Sequence, residues 1–149
     1  MAKIIHPGAG ALGLLTIATF WLSTAVTKLF ASHAVATTVK TTIPWGGFLL
    51  LIPTLATAGG SGFALARGRR AGPIGAKIKR TALIAANEVL VLIPSAPFLA
   101  FKARADELDG AFYAVQALEL AAGAANIALL GLNMRDGLKM KGWLRPKPA

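Results

Sequence analysis

Cysteine is absent from the 149 residues, which excludes disulfides, iron–sulfur clusters and thiol catalysis together. Histidine occurs only at positions 6 and 33, and acids number six against 16 lysines and arginines. With so few acids and histidines, no Ser–His–Asp arrangement, soluble acid pair or two- or three-ligand metal spacing can be assembled. No phosphate loop is present either: the run Gly59-Gly60-Ser61-Gly62 lacks both a preceding strand and a following Lys-Ser/Thr pair. Charge is scarce overall, at 15% of residues, where a soluble domain carries about 25%.

Apolar sequence fills the space. Hydrophobic residues make up 55% of the chain and mean hydropathy is +0.61. Long apolar runs predict an all-α fold: one integral-membrane domain over 1–149, an antiparallel four-helix bundle with spans near 8–30, 43–65, 82–101 and 112–134. The apolar run after Lys3 lacks a small-residue cleavage site and reads as a retained helix rather than a signal peptide. His6-Pro7 reads as its start, with proline at the first helical position. Along it Gly13, Thr16, Phe20, Ser23 and Thr27 share a face of mostly small and hydroxyl side chains, suited to close helix approach in lipid, and Trp21 reads as a filler between helices. Stretch 31–42, which holds His33 and Lys40, reads as a short surface helix or loop. Pro53 predicts a kink in the second span, and Pro94 and Pro97 break the second half of the third. No internal repeat is evident.

The net charge of +10 sits in the loops, as an orientation signal rather than a nucleic-acid surface. Stretch 67–80 (RGRRAGPIGAKIKR) holds six cations and no acid, and its glycines and Pro73 read as a loop. The tail 135–149 carries five cations and a proline-rich end read as disordered, while 102–110 holds three of the six acids. That asymmetry predicts both termini in the cytoplasm.

The last span is the organising one. Gln116, Glu119, Gly123, Asn126, Leu130 and Asn133 fall on one seam at steps of three and four, and Leu118, Ala121, Ala125, Leu129 and Leu132 lie opposite, toward lipid. Lipid cannot satisfy the seam's polar groups, so the seam must face protein or trapped water. Asn87 and Glu88 add an amide and a second carboxyl from the third span. Counted from the cytoplasmic ends of the predicted spans, Glu88 lies at about 9 Å and Glu119 at about 22 Å. Ser23, Thr24 and a reaching Lys28 are the partners available to Glu119, and Asn126 is the partner available to Glu88. The seam reads either as a polar clasp fixing helix register or as a proton relay or cation site running Glu119–Asn126–Glu88. Asp136 reads as a local partner of Arg135 or as a partner of the six-cation stretch.

Four-helix membrane bundles often hold haem b between histidines. Here His6 and His33 flank the first span about 40 Å apart and cannot share one haem within a protomer. His6 with Met134 or Met140 remains geometrically possible, for haem or a quinone.

The run HPGAGALGLL (6–15), the phrase ELAAGAANIALLGLNMRDGL (119–138) and the small-residue, proline-broken middle resemble small four-span bacterial inner-membrane proteins of unknown function. The resemblance covers nearly the whole chain. It implies the four-span fold and the inner-membrane location, and no activity. In length and span number the chain is also similar to DoxX-like proteins, but without their hallmark motifs, so no role transfers. The leading expectation is a non-enzymatic accessory or assembly subunit, meeting the lipid bilayer and other integral subunits or its own copies and no nucleic acid. The alternatives are a proton- or cation-coupled carrier using Glu119 and Glu88, and a redox protein binding haem b or quinone near His6.

Overall fold

The computed structural model describes residues 2–30, 33–66, 68 and 71–142. Among them every regular element is helical: α1 (Ala2–Phe30), α2 (His33–Gly46), α3 (Ile52–Ala66), α4 (Gly72–Asn87), α5 (Ile93–Arg104) and α6 (Gly110–Met140). Four stretches, Ile5–Thr27, Leu49–Ala66, Gly72–Arg104 and Gly110–Met140, are long and apolar enough to cross a membrane. Large apolar side chains point outward: Leu15 is 66% exposed, Leu49 and Leu90 are each 74% exposed. A soluble monomer does not leave so much apolar surface bare, whereas hydrocarbon solvates it without penalty.

Several boundaries differ from the sequence expectation. Pro7 lies inside α1 rather than at its first position. As the sixth residue of α1 it lies past the four N–H groups that lack intrahelical partners, so the helix forgoes one backbone bond there. Stretch 31–42 is not a loop or a surface helix in its described part: α2 spans it, packs against α1 and α5 and buries Lys40. In stretch 67–80 the second half is helix, not loop. Pro73 sits in the first turn of α4, where its fixed φ favours the helix and its missing N–H costs nothing. The third span is therefore longer than 82–101, and the last runs past both ends of 112–134. Arg67, Arg69, Arg70 and the tail 143–149 lie outside the described residues, as do the side chains of Lys3, Lys28 and His33.

The prolines at 53 and 94 do not produce simple kinks. Each follows a single five-residue π turn, Gly47–Leu51 before Pro53 and Glu88–Leu92 before Pro94. The closing bonds match: Ile52 N–H donates to the Gly47 carbonyl, and Ile93 N–H to the Glu88 carbonyl. A proline ring collides with the carbonyl four residues back. Widening that turn to an i→i+5 pattern makes room for the ring while the chain remains helical. The result is two long, continuous helical runs, α2–α3 and α4–α5. Pro97 is accommodated inside α5.

α1 packs along α3 and α6, α6 also along α4 and α5, and α2 along α5. A small apolar core of Leu99, Ala103 and Phe112, with Leu108 and Val115 against it, joins α5 to the start of α6.

Candidate functional site

Asp109 sets the register of α6. Its carboxylate accepts from the Phe112 N–H at 2.9 Å, which caps the helix, and from Lys102 Nζ at 2.8 Å. The lysine bond foremost, then the backbone N–H, hold its carboxyl below the usual aspartate range. From that start Gln116, Gly123 and Asn126 come to lie buried on one side, with Glu119 and Asn133 partly buried. Leu118, Ala121 and Ala125 are exposed opposite, while Leu129 and Leu132 are only half-buried.

Asn126 is the pivot, with no exposed surface. Its Nδ2 donates to Glu88 Oε2 at 3.0 Å, and its Oδ1 accepts from Asn87 Nδ2 at 2.8 Å. Asn87 Nδ2 also donates to the Ala122 carbonyl at 2.8 Å. Donation thus runs in one direction, Asn87 to Asn126 to Glu88, and ends on the carboxyl. The side chain of Glu88 has no other hydrogen bond and no cationic partner among the described residues. The residue is only 6% exposed. It is also the central residue of the run Gly72–Arg104, about 24 Å along the helix from Gly72.

Glu119 has a different environment. Lys40 Nζ donates to Glu119 Oε2 in a close ion pair, and Gln116 Nε2 approaches the same oxygen at 3.4 Å. The side chains of Lys40 and Glu119 are 8% and 15% exposed, so the pair is largely shielded from solvent. Sequence reasoning pointed to Lys28, because the threonine-rich stretch before Lys40 resembles a loop. The available signal was Val35, Val39 and Ile43 at steps of four, which carry a helical stripe straight into the second span. The expected run from Glu119 to Asn126 is interrupted. Two turns of helix separate the two by about 10.5 Å, too far for a hydrogen bond.

Between the two carboxyls lies a cavity of about 80 Å³, room for about five waters. Its wall is mainly apolar, including Ile17, Phe20, Leu51, Leu92 and Leu120, with Thr24, Glu88 and Glu119 as its acidic and hydroxyl groups. Trp21 closes one side. Its Nε1 donates to the Leu120 carbonyl at 2.7 Å, and a Cβ on Gly123 would lie 2.8 Å from its Cδ1. Glycine is required at 123 for this approach, and Trp21 does occupy an interhelical gap.

A second polar group gathers at the other end of α6. Arg80 Nη1 meets Asp136 Oδ2 at 2.6 Å and Arg135 meets Oδ1 at 3.4 Å, so Asp136 joins both expected partners. Asn133 Nδ2 donates to Thr81 Oγ1 at 3.3 Å, and Asn133 Oδ1 is buried with no partner among the described residues. His6 packs on the glycine-rich end of α3. Its Nδ1 lies 3.0 Å from the Ala58 carbonyl and 3.2 Å from Ser61 Oγ. A carbonyl only accepts, so the proton sits on Nδ1 and Nε2 keeps its lone pair. Met134 and Met140 are exposed. Among the described residues no three His, Asp or Glu side chains cluster to hold a metal ion.

The site residues therefore fall in three places: Glu88 and Glu119 on the cavity wall with Asn126, Asn87 and Gln116 bonded behind them, Asn133 with Thr81, and His6 on α3. No protein-family model, curated protein or solved structure matches the chain.

Proposed function

We propose that this chain is a proton- or cation-coupled carrier of the bacterial inner membrane, an antiparallel bundle with both termini cytoplasmic. The orientation rests on the cations of 67–80 and 135–149, which favour the inside face. The antiparallel run is supported by the packing of α2 on α5 and α3 on α4, without α2–α4 or α3–α5 packing.

One observation carries the functional reading: two carboxyls from different helices line one membrane-depth cavity, and only one has a cation built in. Lys40 balances Glu119. Among the described residues Glu88 has only an amide donor, so its charge in an apolar wall must be balanced by a proton or a cation that enters. Glu88 is thus the exchange group and Glu119–Lys40 the fixed pair. The test is reconstitution into vesicles holding a pH-sensitive dye, with imposed proton, Na⁺ and K⁺ gradients. Wild-type protein is expected to dissipate one gradient at least tenfold faster than Glu88→Gln. Equal rates for all three ions would refute the carrier reading.

A second reading, the accessory or self-associating subunit, draws on Ala117, Ala121, Ala124 and Ala128, all exposed along one side of α6. Small residues at this spacing let two helices approach closely in lipid. Stable co-purification with larger membrane subunits would favour it.

A further inference from the structure

The two helical runs carry closely similar sequence at the π turn, identical at four of six positions. Leu49-Leu50-Leu51-Ile52-Pro53-Thr54 matches Leu90-Val91-Leu92-Ile93-Pro94-Ser95, so an internal repeat exists where none was evident from the sequence pattern. Its short length and its position across spans two and three hide it; the comparison of spans one and three does not reveal it. The structures correspond residue by residue. Both copies have the π turn, the same i→i−5 bond from isoleucine, and proline next. Leu49 and Leu90 are equally exposed, and the hydroxyls that follow the prolines, Thr54 and Ser95, are both buried.

The cavity adds an independent correspondence. From the first copy it is lined by Gly47, Leu51 and Ile52, and from the second by Glu88, Leu92 and Ile93, which are the same three repeat positions. The flanking helices follow the pattern, α1 packing on the first π turn and α6 on the second. We infer that the runs are two inverted copies of one element, related by an approximate two-fold axis through the cavity, and that their π turns are paired hinges opening it alternately to the two membrane faces. This rests on the carrier reading for its purpose, though not for its geometry.

The packing shows which end is shut. The axis exchanges α2 with α4 and α3 with α5, so the α2–α5 contact and the α3–α4 contact are counterparts. In the structure α2 and α5 pack far more extensively than α3 and α4. Exchange of the two arrangements gives the opposite state: α3 on α4, with α2 and α5 parted. A π turn held open by proline is a suitable hinge, because the carbonyl four residues before the proline has no N–H to bond and the bend can change without breaking a helical bond.

The absence of cysteine allows a direct test. Ala96, on the cavity wall, is replaced by cysteine and treated with a small membrane-impermeant thiol reagent in right-side-out and in inside-out vesicles. Labelling is expected from both faces. Pro53→Ala restores the donor and favours a regular turn at the first hinge, and Pro94→Ala does so at the second. In the Ala96→Cys background, one is expected to cut labelling at least tenfold from one face, and the other to do so from the opposite face. Labelling from a single face or from neither, or two proline variants that act on the same face, would overturn the inference. Alternating labelling with no Glu88-dependent ion flux would leave the hinges standing and remove the carrier reading. Glu88-dependent flux with one-sided labelling would do the reverse.

Discussion

Lys40→Met is the most informative single perturbation of the fold. It removes the ammonium that balances Glu119 while keeping most of the apolar stem. Both side chains are at least 85% shielded, at 8% and 15% exposure, so the stranded carboxylate has little access to water. Breaking one side of a buried pair costs about 3–5 kcal/mol. Glu119→Met alone removes the carboxylate that faces the ammonium and should also be destabilising. Removing both charges leaves nothing uncompensated, so Lys40→Met/Glu119→Met should cost less than either single variant and could be neutral. The assay is reversible unfolding in mixed detergent micelles followed by far-UV circular dichroism, with all four proteins in one cycle. Coupling should exceed about 2 kcal/mol, near the top of the range for contacting residues. Additive single-variant costs below about 0.5 kcal/mol would mean that the two charges do not meet and that α2 is not docked on α6 through them.

Two further outcomes follow from local geometry. Gly123→Ala places a methyl 2.8 Å from Trp21 Cδ1, against a ring tethered to the Leu120 carbonyl. It should cost about 1–3 kcal/mol by overpacking, with a shift in tryptophan emission; unchanged stability and emission would place Trp21 elsewhere. Asp109 has its carboxyl lowered by Lys102 and the Phe112 N–H, so its contribution is present above the ordinary aspartate range and lost as pH falls through the lowered value. Asp109→Asn should keep the cap and flatten the acid limb of a stability–pH profile, and an identical acid limb in both proteins would count against that bond.

Much of the α6 seam was legible because polar residues in an otherwise apolar run stand out, and their period of three to four assigns them to one face. Asn126 and Glu88 could be matched from helix rise alone. Other features depended on tertiary context. Lys40 lies among threonines that read as surface, and only the packing of α2 on α5 and the ion pair with Glu119 make it an interior residue. Pro73 carries the same letter whether it breaks a helix or begins one; the extended backbone of Ala71 before it decides. The π turns have no residue signature of their own. They arise because a continuous helix must accommodate Pro53 and Pro94, and a kink and a widened turn are alternative solutions to that clash.

The Lys40–Glu119 pair also imposes an order on synthesis. The partners are 79 residues apart in the chain, which at typical translation speeds is about 4–16 s of elongation. Throughout that interval α2 exists without the carboxylate that neutralises Lys40, so it must wait in the headgroups, in the insertion machinery or beside a helper. Synthesis of α6 is what allows α2 to take its place. Docking of α2 is therefore a late, single event, and a nascent chain stopped before Gly110 should remain open to proteases at α2.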